Sequence, residues 1–426
     1  MDARPLRIFT SNDSPRLRYI AGILLGEILG LQWEITSDKR KIRKCPVINY
    51  SSENIEGALS IIPEGLLMET GIHSKDVKVS TWKGLPVFFP KEQGDIPFDI
   101  FSASFFLVSR YEEYLDHEPD GHGRFRHTSS IASRNGFLGI PVVDLWTREL
   151  ARCLLKKFRS LTFRRHEFQS VIVIDSDHES SNSSGNILSS ITGRLSGKHR
   201  KSSYPENDIP DSFSYIFKKV DKKSLSLKFF FAVGDRSKHD KNPSWKNTDY
   251  RSLIFKIAAR SCTGICTSYF VLEKKLAADE VMRMENIVGG KVSASRFHSQ
   301  RFFFPHSFRI LQQAGIKEDY SMGYPDEPGF RAGIARSFYF YDLPEEKQTT
   351  LRIYPFQFMD EILLKPGSNI EEALKAMEEI IDQARNVGGL FISAWHIHGF
   401  INNGLGDGVK NIFERMLQYQ EDDSIS

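Results

Sequence analysis

Cysteine is scarce in this sequence: 426 residues contain four, Cys45, Cys153, Cys262 and Cys266. Four thiols in a chain of this length make no disulfide framework, which excludes the small secreted scaffolds that depend on cross-links. Long apolar runs are missing too. Nothing approaches the roughly 18 residues needed to span a bilayer, and the opening stretch MDARPLRIFT lacks the apolar centre of a signal peptide. A cytoplasmic location is therefore expected. Charge of one sign is also absent. A net charge of +3 is small for this length and gives no argument for nucleic acid. The basic cluster Lys39–Lys44 reads as a solvated edge. Phenylalanine, by contrast, is abundant at 32 residues, which points to aromatic-rich packing with platforms suited to a sugar or a lipid. The chain is too long for one core, so two or three domains are expected.

The most informative stretch is Val171-Ile172-Val173-Ile174-Asp175-Ser176-Asp177-His178. Four consecutive β-favouring apolar residues predict a strand buried on both faces, as in a parallel sheet. It runs into two carboxylates and an imidazole, groups that transfer protons and bind metals. Taken alone, Asp177 is equally well explained as a helix N-cap.

Residues 1–165 read as a smaller α/β module. Strand-like runs recur at LRIFT, LQWEIT, CPVINYSS, ALSIIP and LPVFFP, broken by turn residues. Helical spacing covers 99–115 and a second helix starts at Pro141. The intervening loop DHEPDGHGRFRH has the look of a metal loop, but His117, His122 and His127 alternate with Arg and favour a surface turn. From 166 to 426 strands alternate with helices. Strands are expected at 171–175, 226–233, 263–268, 291–297, 319–323, 351–359 and 390–395, and the last helix begins at Asn369 with Glu372 three residues on. This alternation predicts a parallel (β/α) barrel whose functional groups gather where the strands end. Those ends carry Asp175, Asp177, Asp235, Arg236, Cys266, Arg296, His298, Asp319, Tyr320, Asp360, Trp395 and His396. The polar segment 180–212 reads either as a mobile lid or as an unstructured insertion.

These residues resemble the polysaccharide deacetylase homology domain, the distorted (β/α)7 barrel of carbohydrate esterase family four. The chain as a whole is similar to two-domain deacetylase-like proteins common in Bacteroidetes. The resemblance rests on DIFSASFFLVSRYEEYL…DGHGRF…NGFLGIPVVDLW in the first module. In the barrel it rests on I-D-x-D at 174–177, G-D-R…D-K-N at 234–242, S-R-x-H at 295–298, E-D-Y-S-M-G-Y…P-G-F-R-A-G at 318–333, and Trp395-His396. It implies a metal-dependent hydrolase removing N- or O-acetyl groups from a saccharide or glycan precursor. By matching motif, Asp175 would be the general base, His396 the general acid and Arg296 the orienter of the base. The metal, zinc in the first instance, would be held by Asp177, Cys266 and His298. Tyr269, Tyr320, Tyr324, Phe330, Arg331 and Trp395 would form the sugar-binding wall, with Arg331 alternatively a buried structural guanidinium.

One departure from the family pattern bears on the metal. Where the family places His-x-x-x-His after the third strand, this sequence has Gly264-Ile265-Cys266-Thr267-Ser268-Tyr269, so a ligand histidine is replaced by Cys266 and the second is absent. A thiolate ligates zinc, yet the same pattern is what a decaying metal site looks like. A catalytically degenerate barrel that binds glycan without hydrolysing it is therefore the alternative, and a scaffold protein a third reading. Cys262 is expected to be a buried filler. His178 and His398 are expected to point away from the site.

Overall fold

The computed structural model describes residues 5–176, 211–220, 225–364, 369–400 and 406–422. The chain divides into two compact units. The first comprises Met1–Phe168 with Phe330–Thr350 and Gln383–Gly389, and the second Gln169–Gly329 with Leu351–Asp382 and Leu390–Ser426. The second half of the chain thus sends two segments back into the first unit.

In the first unit β1 (Leu6–Phe9), β2 (Trp33–Thr36), β3 (Val47–Asn49) and β4 (Leu59–Ser60) form a parallel sheet in the order β2-β1-β3-β4. A two-stranded antiparallel ribbon, β5 (Val79–Trp82) and β6 (Leu85–Phe88), follows. The helix Ile100–Val108 is buried along its whole length, so its capping is internal. Asp99 accepts the Ser102 N–H at 3.0 Å and the Tyr50 hydroxyl at 2.8 Å. The helix stops short of the expected Leu115 because Arg110 adopts a left-handed backbone, φ 55°. That turn buries its guanidinium against Glu112 at 3.0 Å and Glu113 at 2.7 Å. The helix Val142–Lys157 forms as expected. Its Asp144 receives the first returning segment, accepting from Ala335 N–H at 2.8 Å and from Arg336 Nε at 2.6 Å. At the second return Gly388 has φ 55°, and a Cβ there would lie 2.0 Å from the His166 carbonyl. Only glycine fits.

β12 (Phe338–Asp342) lies beside β13 (Lys347–Ile353), joined to it by a turn that Glu346 N–H closes onto Leu343 O at 3.2 Å. In the second unit the sheet continues from the end of β13 through β11 (Glu318–Asp319), β10 (Ala294–Phe297), β9 (Cys262–Thr267), β8 (Ser226–Ala232), β7 (Gln169–Asp175) and β15 (Leu390–His396) to β14 (Phe358–Met359). Each of these neighbouring pairs is parallel. Among the described residues the strand order is open, with β14 at one edge. Each of the seven expected strands is present to within a few residues, and the 351–359 run divides into β13 and β14. The stretch 271–288 is not one helix: it breaks at Lys275, φ 53°, into Val271–Lys274 and Ala277–Val288.

Alternation along these strands decides which side chains share a face. Val171, Val173, Phe230, Ala232, Cys266, Ala294, Ile392 and Ala394 form one apolar cluster. Asp175, Arg296 and His396 are the next positions on that same face at the strand ends. Close packing sets its depth: at Gly264, two residues before Cys266, a Cβ would meet the Ala294 carbonyl at 2.5 Å and the Phe230 ring at 2.6 Å.

Candidate functional site

The parallel register sets Asp175 directly beside His396 on β7 and β15, so a carboxylate and an imidazole far apart in the sequence are cross-strand neighbours. Each is buried and each is anchored. Arg296 Nε donates to Asp175 Oδ2 at 2.5 Å, and the same guanidinium donates to the Tyr320 carbonyl. It lies over the Phe356 ring, 4.7 Å from its centroid. His396 is held by Asp360, which directly follows β14. One oxygen of Asp360 meets the imidazole Nδ1 at 2.7 Å, and the other accepts the His396 backbone N–H at 2.8 Å. Engaging Nδ1 in this way leaves Nε2 as the atom able to exchange a proton with a bound molecule; Glu361 Oε1 stands 3.7 Å from it. The sequence shows Asp360 only as one acidic strand end among several. Its role follows from β14 pairing with β15, a non-local fact.

Around this pair, the loops after β8 and β9 are latched together. Asp240 accepts the Tyr269 N–H at 2.8 Å and the Ser237 hydroxyl at 2.5 Å, while Asn242 donates to the Gly234 carbonyl at 3.0 Å. The G-D-R…D-K-N motif is thus a loop clasp. Tyr269 stacks on His239 with ring centroids 3.9 Å apart, and meets His298 edge-on at 6.0 Å. Arg301 lies against the same Tyr269 ring at 4.9 Å. His298 is buried and is followed by two left-handed residues, Ser299 (φ 52°) and Gln300 (φ 49°), a conformation uncommon outside glycine. Two further carboxyls are buried, Asp319, one of the expected strand-end residues, and Glu280, which the sequence does not single out. Burial pushes Glu280 up to about 7 against its hydrogen bonds from Ser268. Burial likewise pushes Asp319 up to about 6, although Ser321 and Ser295 donate to it.

Of the expected metal ligands, Asp177 lies outside the described residues, as do His178 and all of the 180–212 segment except Asp211 and Ser212. Those two open the helix Asp211–Val220. Among the described residues no three His, Cys, Asp or Glu side chains are disposed to hold a metal ion. Cys266 belongs to the apolar cluster with Val171, Phe230 and Ala394. Phe270, where the family's second histidine would fall, packs edge-on against Tyr269 at 5.1 Å. The described donor set does not fit a metal centre. Cys262 corrects an expectation: it is exposed, because it starts β9 at the end of the sheet remote from the site.

The expected sugar-binding residues fall in both units. Tyr320 is buried, its hydroxyl donating to Glu318 at 2.8 Å and its ring stacked on Tyr354 at 4.6 Å. Lys228, near the start of β8, lies 5.1 Å from that ring, so Tyr320 points towards the strand beginnings. Trp395 is fully buried against Phe413, Phe358 and Phe400, with its indole N–H on Ser393 at 2.9 Å. Enclosed rings have no free face for a sugar in this conformation. Phe330 and Arg331 fall in the first unit, where Arg331 makes a two-pronged ion pair with Glu113 at 2.9 and 2.6 Å. Burial raises the Glu113 carboxyl, but Arg331 and Arg110 outweigh it and hold the pKa below the usual value. Tyr324 is buried in the second unit. His398 corrects an expectation: the 3₁₀ turn Ile397–Phe400 ends the strand alternation after His396 and leaves the two rings 5.1 Å apart.

Residues 6–159 match the model of a family of unknown function, DUF7033. No curated protein matches the chain. Among solved structures, a protein from Mycobacterium smegmatis provisionally assigned as a polysaccharide deacetylase aligns with 60% of this chain and 85% of its own, at 11% identity and a TM-score of 0.39. The polysaccharide deacetylase Bc1974 from Bacillus cereus aligns with 60% of this chain and 89% of its own, at 8% identity and a TM-score of 0.30. Likenesses this distant carry no argument about the chemistry of this chain. No described helix is long and apolar enough to cross a membrane.

Proposed function

We propose that the second unit is a deacetylase-like hydrolase acting on an acylated saccharide, and that its sheet curls as the incomplete (β/α)7 barrel of the family it resembles in sequence. The observation that carries this reading is the in-register pair Asp175 and His396, each buried and each held by a second charged group. In the proposed reaction Asp175 accepts a proton from water as the water oxygen attacks the acyl carbon. The bond from that carbon to the sugar nitrogen or oxygen then breaks, and His396 Nε2–H delivers a proton to the leaving atom. The products are acetate and the free amine or alcohol. Arg296 fixes the orientation of the Asp175 carboxylate, and Asp360 fixes the orientation of the imidazole. No step is routed through a metal, because the described residues do not fit one.

Acetate release from N- and O-acetylated oligosaccharides tests the reading. Asp175→Asn and His396→Ala should each lower the rate by about 10²-fold or more, the usual contribution of a positioned acid or base. Rates equal to wild type in both variants would remove the assignment. A second reading, a barrel that binds glycan without turnover, is favoured by the enclosure of Cys266 in the apolar cluster. Saturable saccharide binding with no acetate released would select it.

A further inference from the structure

The motif Asp120-Gly121-His122-Gly123-Arg124-Phe125 in the first unit plays no part in the proposed reaction. Its carboxylate is spent internally: Asp120 accepts from the N–H groups of His122 and Arg124, both at 2.9 Å, and from Arg124 Nε at 2.7 Å. A bridge between Pro119 and Phe125 closes the turn. The turn is therefore built to hold Phe125, which is buried, over a cavity of about 480 Å³. That volume lies in the range of small-molecule pockets.

The lining has two characters. Phe125 and Phe106 supply apolar wall, with the His117 ring edge-on to Phe125 at 4.9 Å. The charged groups cancel. Lys75 is paired with Glu69 at 2.6 Å, Asp76 with Lys78 at 3.7 Å, and Glu112 is engaged by Arg110 at 3.0 Å and by the Ile131 N–H at 2.8 Å. Two rim side chains of opposite sign, Arg134 and Asp116, are exposed and make no hydrogen bond or ion pair with the described residues. A ligand of either net charge would meet a like charge at this rim. A neutral polyol donates and accepts at every hydroxyl, so it answers both groups, while its C–H faces suit the phenyl walls.

We infer that this pocket binds a neutral saccharide, making the first unit a glycan-recognition module in its own right. The inference stands apart from the hydrolase reading, since none of its residues belongs to the second unit. The test uses the full chain and a panel of neutral mono- and disaccharides of the gluco, galacto, manno and N-acetylglucosamine series. Ligand-observed NMR would detect binding and calorimetry would measure affinity. At least one neutral sugar should bind. Arg134→Gln and Asp116→Asn, both exposed and structurally idle, should each weaken it about 5- to 10-fold, the loss of one or two hydrogen bonds. The matching hexuronate and the free hexosamine should bind less tightly than the neutral parent. Asp175→Asn should leave this affinity unchanged, so failure of the hydrolase reading would not register here. The proposal is overturned by a panel with no binder, by an affinity indifferent to both rim variants, or by preference for a charged sugar.

Discussion

The carboxylate of Asp360 grips His396 twice, through the ring Nδ1 at 2.7 Å and the backbone N–H at 2.8 Å. A side chain held at both points cannot rotate without breaking one bond, so the geometry of Nε2 is fixed before any ligand arrives. Asparagine offers a single acceptor oxygen where two are used. Asp360→Asn should therefore lower kcat by about 10²-fold with KM little changed, because the acid is misoriented rather than the saccharide lost. Steady-state kinetics separates the two parameters. A rise in KM at constant kcat would show that Asp360 serves binding instead.

Arg296 and Asp175 form a buried ion pair, with side chains 0% and 2% exposed. Removing one partner takes from the other the opposite charge against which it is buried. Arg296→Met should cost about 3–5 kcal/mol of stability, whereas joint replacement with Asp175→Asn should recover much of that loss. Denaturant unfolding of the single and double variants measures the coupling. Additive losses would mean that the two groups do not depend on one another.

Much of this arrangement was legible in the sequence, and the reason is physical. The VIVI run before Asp175 and the alternation in Leu390–His396 set the face of each side chain locally, so the pattern placed Asp175, Arg296 and His396 among the strand-end residues, and the family resemblance singled them out from the others. What escaped was non-local. Asp360 gains its role only from the pairing of β14 with β15. Tyr320 and Tyr324 sit in a conspicuous motif, but nothing in the chain's periodicity tells which end of the sheet a ring will face. Arg331 was read two ways, and Glu113, 218 residues earlier, accounts for its burial. The breaks at Arg110 and Lys275 come from left-handed residues that no propensity marks.

Glu280 offers a pH test. An unfolded glutamate ionises near pH 4.3 or so, and in the fold burial raises this to about 7. Between those values the folded chain holds a proton that the unfolded chain has lost. Stability should therefore fall as pH rises through that window, by at most about 1.4 kcal/mol per unit, and level off above it. Glu280→Gln should flatten this slope while keeping an oxygen to accept from Ser268. Denaturation midpoints from pH 5 to 8 provide the comparison. A wild-type slope equal to that of the variant would locate the dependence elsewhere.

Cys266 distinguishes a metal ligand from a core residue. Its thiol lies among Val171, Phe230, Ala232 and Ala394, and a buried thiol behaves as a small hydrophobe. Cys266→Val should then be tolerated within about 1.5 kcal/mol, as volume-conserving apolar swaps usually are. Cys266→Ser, which buries a more polar hydroxyl in this apolar cluster, should cost more, about 1–3 kcal/mol. Neither change should alter metal content. A ligand thiolate makes the opposite prediction. Val and Ser would both remove the metal, and stability would follow the loss of the ion rather than the polarity of the side chain. Thermal melts combined with elemental analysis of the three proteins separate the cases. Stoichiometric zinc in wild type that vanishes in both variants would make Cys266 a ligand, with Asp177 and His298 its partners. Unchanged metal content together with the order Val above Ser in stability would place Cys266 in the core, and the proton chemistry of this site would then rest on Asp175 and His396.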